Sequence, residues 1–574
     1  MNTSDRSRVA GRCAGSQPPG RRRGGGRAAA ARSARVPQLL AAAALALLAP
    51  MAQATQATQA AHDAHDADDA QAAQTATPGQ AARLVQLAQA APMAPVGPAA
   101  PPAAAPPPAT VGDGWLKLPA RPRVSYETVQ SDAGEKMGLV GTTYLIEALP
   151  RLCVGPAVYG SASGQRGGMF TVGGEVALCT PLVSRLSLVA GVYAGGGGGG
   201  GAPVGGGLML RPHADLLWDF GPLSAGLSWS YLSFPGGDYG SSQLGLVLQT
   251  ETGFRRWAGG PAQPSTAAGG VGFDRVIAQA GLWWPRAGTL AISGAPLGTI
   301  ALVGARAEAD LVGPLWLGVE TNAAANNAAG YAEFLGNLGA TWAIDDVGRL
   351  RAGGRIALGM GGGGDLPVGG GLLVKAAVDA SWQLTPGLGL GLEAGWAAAP
   401  QGDLAAPYGL VALRWQLQPL PGQPVRLVRQ DWSVGVETVF DAARKIGPAR
   451  SLQQVSLKYA RYLNDWVYLN GQVQSAFSGE AGAFSVGLFG VGATWAATPA
   501  LALGAELALG AAGGGGVDTG RGAVVKPLLQ AGLVLSPHAA LRVGGGWLKA
   551  LDGPLSSAVA ELTLVYRFDT LGAY

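Results

Sequence analysis

Arg211, His213, Asp215 and Asp219 form the densest group of side chains able to do chemistry, set at even intervals along one short segment. Even spacing puts all four on one face of an extended chain, because side chains alternate along a strand. A histidine beside carboxylates is the raw material of a general base, but a base needs a nucleophile or a substrate proton within reach. No serine, threonine or cysteine stands at a recognisable catalytic spacing from His213, so ion pairing is its expected role and no catalytic residue is assigned. Lys375 with Asp379, and Lys526 with Gln530, repeat the four-residue spacing of Arg211 and Asp215, while Ala377 and Leu528 stand where His213 would. Three cations at one level of a channel wall would bias ion passage, and local pairing would cancel that bias; both readings stay open. The final part of the chain adds Glu437, Glu506 and Glu561 against Lys526, Arg542 and Arg567, all on one alternating face.

Other groups carry less. His62, Asp63, His65, Asp66, Asp68 and Asp69 are metal-capable, but nothing around them fixes a geometry, and no metal or other cofactor is expected. The glycine runs contain G-x-G-x-x-G only because they are glycine runs. No Lys-Ser/Thr follows them, and a strand–helix turn is lacking. Cys153 and Cys179 flank a loop centred on Gln165 and Arg166, nearly opposite each other on a hairpin, which predicts a disulfide in an exported chain. Cys13 lies in the N-terminal leader.

The elements that position these residues come in three copies. Glycine blocks start at 195, 361 and 513, steps of 166 and 152, and a downstream turn at 235, 400 and 551 keeps nearly the same steps. Within each copy the period is two: Ala558, Ala560, Leu562 and Leu564 oppose Val559, Glu561, Thr563 and Val565. About eight such strands fit in each copy. Tight proline-bearing turns, as at Pro150, Pro222, Pro314 and Pro386, alternate with longer loops, which puts all long loops at one end of the strands.

Composition narrows the class. Of 574 residues, 93 are glycine, only 13% are charged and 48% are hydrophobic, with a mean hydropathy of +0.21. That is too apolar for a disordered chain, and no coiled-coil or collagen period is present. A net charge of +4 without a basic, aromatic-interleaved patch excludes a nucleic-acid partner. Residues 1–54 carry nine arginines before the apolar run 39–49, which is too short to span a bilayer and reads as a signal peptide. Residues 55–120 are an Ala/Gln/Pro-rich periplasmic linker, a site for a periplasmic partner. Three β-barrel repeats follow at 121–257, 271–417 and 431–574.

From about residue 123 onward the pattern resembles a Gram-negative outer-membrane β-barrel of porin-like type: apolar-out strands, short turns at one end and long loops at the other. The resemblance implies an all-β transmembrane antiparallel barrel, outer-membrane lipid as surroundings and the barrel assembly machinery as partner. Tyr574 matches the aromatic last residue of such barrels, whereas Gly572 and Thr570 depart from the apolar positions before it. One barrel of about 24 strands is favoured, since glycine and alanine on the inner face would underfill a narrow barrel; three linked eight-stranded barrels are the alternative. The expected function is a non-enzymatic passive channel for small polar solutes or ions. A plugged envelope scaffold is the rival reading, and a lipid-modifying enzyme built on His213 a more distant one.

Overall fold

A computed structural model describes residues 110–111, 114–259, 269–418 and 425–573. The signal peptide, nearly all of the linker, the two inter-repeat connections in part, Cys13 and Tyr574 lie outside the described residues.

Period-two sequence becomes strand throughout, and neighbouring strands pair antiparallel into three separate closed sheets. Barrel one comprises β2 (Trp115–Gln130), β3 (Lys136–Leu149), β4 (Leu152–Ser163), β5 (Phe170–Val183), β6 (Leu186–Gly198), β7 (Leu208–Asp219), β8 (Ser224–Ser233) and β9 (Gly240–Gln249). It closes where β9 pairs with β2. A short β1 (Thr110–Val111) and β10 (Thr252–Trp257) both pair with the start of β2, so the strand begins inside the stretch expected to be linker. Barrel two comprises β11 (Arg275–Trp283), β12 (Ile300–Asp310), β13 (Leu315–Asn326), β14 (Ala332–Ala343), β15 (Leu350–Gly362), β16 (Leu372–Thr385), β17 (Leu388–Ala398) and β18 (Ala405–Gln416), closing β11 on β18. Barrel three comprises β19 (Val425–Ala442), β20 (Arg450–Tyr462), β21 (Val467–Ala476), β22 (Ser485–Ala496), β23 (Leu501–Gly513), β24 (Ala523–Ser536), β25 (Ala539–Ala550) and β26 (Ser556–Ala573), closing β19 on β26.

The single 24-stranded barrel is thus corrected to three barrels of eight. The underfilling argument failed because two devices fill the narrow lumens. Inner-face glycines are covered by an aromatic ring from the directly opposite residue: Tyr159 lies over Gly141, Trp316 over Gly339 and Tyr468 over Gly492. A Cβ at those glycines would fall 2.2–2.4 Å from the ring. Long Arg, Lys and Glu side chains fill the remainder, as described below.

Short connections gather at one end, at 150–151, 184–185, 220–223, 311–314, 386–387, 497–500 and 537–538. The outward face is a band of exposed leucine and valine, such as Val378, Leu392 and Leu529. Exposed Trp218, Trp342, Trp382, Trp466 and Trp495 rim it at the short-turn end, and Trp284, Trp396 and Trp547 rim it at the long-loop end.

Candidate functional site

Alternation sends every second residue of each strand into a lumen, and in barrel one these residues form a connected polar column. Arg211 grips Glu127 with two bonds of 2.8 Å and lies 5.1 Å from the Tyr159 ring centre. Glu127 also accepts from Ser230 at 2.7 Å. Arg123 pairs with Glu175 at 2.8 Å and with Asp215. His213 sits between those carboxylates, Nε2 at 3.1 Å from Glu175 and Nδ1 at 3.0 Å from Asp215. Both ring nitrogens are therefore occupied by carboxylates, and neither faces a hydroxyl nucleophile. Apolar layers close the column at each end: Leu145, Leu217 and Val247 beside the short turns, Leu232 and Phe234 beneath the long loops.

Barrel two has the largest charged network. Arg355 bridges Glu320 (2.8 Å) and Glu393 (2.6 Å), and Arg306 bridges Glu308 (2.8 Å) and Glu393 (3.0 Å). Lys375 pairs with Glu320 at 3.1 Å and with Glu333, and Asp379 pairs with Arg414 at 3.0 Å. In barrel three, Lys526 pairs with Glu437 and lies 3.6 Å from Glu561. Lys458 lies 2.8 Å from Glu561, an ion pair whose angle falls outside hydrogen-bond geometry. Glu506 accepts from Tyr468 at 3.1 Å, and Gln530 donates to the same tyrosine hydroxyl at 2.8 Å. Arg542 pairs with Asp431 at 2.9 Å.

Arg211, Lys375 and Lys526 each point into a lumen, as their spacing predicts, but into three different lumens. They do not form one ring. Each reaches a carboxylate of its own barrel, so their charge is cancelled locally. Asp219 does not join the His213 column: it lies exposed at the end of β7 and accepts from the Gly221 amide at 2.6 Å. Arg567 is half-buried at the short-turn end of barrel three, away from the Glu437–Lys526–Glu561 cluster. Cys153 and Cys179 are bonded to each other across adjacent strands, Cα atoms 6.3 Å apart, diagonal rather than directly opposed because Cys153 faces Ala177. Sequence reasoning missed Arg123, Glu127 and Glu175 in barrel one, and the Arg306, Glu320, Arg355 and Glu393 cluster in barrel two. Their signal was the same alternation, visible for example in Arg306 and Glu308.

The glycine blocks are ordered connections of one design rather than slack loops. Each joins the fifth and sixth strands of its barrel, at 199–207, 363–371 and 514–522. Gly200, Gly364 and Gly515 have φ of +59°, +58° and +55°; Gly205, Gly369 and Gly520 follow at +57°, +59° and +60°. Glycine takes this left-handed region at the least steric cost, so the spacing encodes one backbone three times. Val204, Val368 and Val517 of these loops dip into the buried apolar layers at their own barrel mouths.

The same loops lock the barrels together. A Cβ on Gly207 of barrel one would fall 2.5 Å from the Ala476 carbonyl of barrel three. A Cβ on Gly522 of barrel three would fall 2.9 Å from the Ala324 carbonyl of barrel two, and one on Gly371 of barrel two 2.6 Å from the Ser161 carbonyl of barrel one. One contact type, repeated head to tail, closes into a ring of three, as in a cyclic trimer written on one chain. Ser161 Oγ adds a 2.6 Å bond to the Gly370 carbonyl. At the short-turn end, Phe254 of barrel one packs against Trp432 and Phe568 of barrel three, with ring centres 5.2 and 4.9 Å apart.

No protein-family model and no curated protein matches this chain. Among solved structures, its neighbours are outer-membrane porins and siderophore receptors. Pseudomonas aeruginosa OccK11 (OpdR) matches at TM-score 0.21 and 12% identity, over 79% of this chain and 96% of that one. The siderophore receptor PirA from Pseudomonas aeruginosa gives 0.24 and 11%, over 79% and 80%. Acinetobacter baumannii OccAB3 gives 0.21 and 7%, over 79% and 99%. At TM-scores this low, the likeness transfers nothing to this chain.

Proposed function

We propose that the protein is an integral outer-membrane protein whose three barrels are shut at rest. The outward face carries this reading: a band of exposed leucine and valine rimmed at both ends by tryptophan. In water so much contiguous apolar surface is a liability, whereas lipid demands it, with aromatic girdles at the two interfaces. Edge-free closure of each sheet meets the other demand of a bilayer, that every backbone polar group be satisfied internally. Within that membrane frame, paired charges and apolar end layers fill each lumen, as suits an envelope scaffold with narrow, side-chain-packed barrels. His213, held by two carboxylates, serves pairing rather than catalysis.

A porin-like passive channel for small polar solutes or ions is the second reading, and one observation favours it. The charged network of barrel two runs from Arg275 and Asp310 at the short-turn rim up to Lys375, beneath a cap that includes Leu366 and Val368 of its glycine loop. Lifting that loop would expose a polar path. Planar-bilayer recording of the full chain decides between them: no conductance steps, with insertion verified by protease protection in vesicles, is the result expected. Stable steps would overturn the shut state and support the channel.

A further inference from the structure

The short-turn mouth of barrel three holds a site that the pairing scheme of the lumens leaves unexplained. Arg429, Arg542 and Arg567, together with Thr494 and Gln530, line one narrow crevice with room for about one water molecule inside and a mouth open to solvent. Gly504 and Gly532 line it without contributing a side chain. Asp431 takes up two of the guanidiniums, Arg429 at 3.1 Å and Arg542 at 2.9 Å. Arg567 stands directly opposite Asp431 in the β19–β26 register but makes no ion pair with it, and its buried Nε has no hydrogen-bond partner. Asp569, two residues along β26, is a further carboxylate at this end, so three guanidiniums face at most two carboxylates. Arg542 is 7% exposed, and its guanidinium is held in place by Asp431. Arg429 is fixed both by Asp431 and by stacking 4.2 Å over the Tyr462 ring.

Elsewhere in the three lumens, among the described residues, a buried cation has its carboxylate; here positive charge is in excess at a mouth open to solvent. Barrel two has no equivalent, because Gly391 stands at the repeat position of Arg542, by the 151-residue step that also relates Lys375 to Lys526. Guanidiniums that are both pre-positioned and incompletely paired are the ordinary means of holding an oxyanion, through charge-assisted and often bidentate bonds. We propose that this mouth is a binding site for a small oxyanion of the phosphate type, approaching from the periplasmic side. Arg567 and Arg542 supply the donors, and Thr494 lies at the rim. The site stands on barrel three alone and does not depend on whether the lumens open.

Inorganic phosphate titrated into the full detergent-folded chain at low ionic strength, read by equilibrium dialysis, tests it. Saturable uptake of one phosphate per chain is expected, weakened at least tenfold by Arg567→Gln and by Arg542→Gln. The control is Arg166→Gln, in a loop at the opposite end, which leaves uptake unchanged. Arg567 makes no ion pair, so its variant does not put folding at risk. Absence of saturable uptake, indifference to both variants, or equal weakening by Arg166→Gln would each overturn the site.

Discussion

Lys526→Met in barrel three probes whether the lumens are shut. Lys526 and Glu437 are both fully buried, and Glu561 lies 3.6 Å from the same ammonium. Removing the lysine strands Glu437 without its cation and leaves Lys458 as the remaining ammonium beside Glu561. Breaking a buried pair on one side costs about 3–5 kcal/mol. A pair in a water-filled pore would cost under about 1 kcal/mol, because solvent screens it. Glu437→Gln costs less, since Glu561 still faces the lysine. In the double variant no buried charge is stranded, and the amide oxygen left at position 437 still accepts from Gln454, a 2.7 Å bond in the parent. The double variant is expected within about 1 kcal/mol of the parent, a coupling of at least about 2 kcal/mol between the sites. Urea unfolding of vesicle-inserted protein, followed by tryptophan fluorescence, reads each midpoint at constant slope. A loss below about 1 kcal/mol for Lys526→Met, with additive single variants, would refute the reasoning and mean that water reaches Lys526.

Three further outcomes follow from the same structure. Replacing Cys153 and Cys179 by serine opens a link of 26 residues and should cost about 3 kcal/mol of stability, measured in the same unfolding assay; mass analysis of the parent after alkylation should show neither cysteine modified. Gly168→Ala places a Cβ 2.1 Å from the Gly363 nitrogen of the neighbouring barrel, at a φ of +90°. It should loosen the seam between barrels one and two, seen as faster proteolysis at the long-loop end. Gly294→Ala, at a similar φ of +84° but with nothing within 4 Å, should not. Burial pushes the Asp274 carboxyl, just before β11 at the short-turn end, up to about 6, against the backbone bond it accepts from Asp310. The folded state then holds its proton more tightly than the unfolded chain, so stability falls as pH rises from about 4 to about 6, by no more than about 3 kcal/mol. Asp274→Asn should flatten that slope in unfolding curves taken across the window.

Local pattern made the strands legible. The two-residue period of β26 places Glu561 and Thr563 inward and Leu562 and Leu564 outward, and no long-range information is needed for that. The repeat steps likewise pointed to three equivalent units, and the spacing of Arg211, Lys375 and Lys526 placed each of them on an inner face. The partners were not legible. Lys526 meets Glu437 across 89 residues and Arg211 meets Glu127 across 84, and an alternating pattern is blind to which facing residue lies opposite.

Sequence by itself determined that the chain forms strands, which face of each is apolar, and that one unit is written three times. Those are properties of neighbours along the chain, set by side-chain alternation and by glycine at fixed turns. Only the tertiary structure decided that each unit closes on itself and that the three lock into a ring. Closure depends on which strand edge finds β2, β11 or β19, and identical alternation serves a wide barrel as well as a narrow one. The narrow form holds because aromatic rings over glycine and cross-lumen ion pairs fill the volume that a count of small residues left empty.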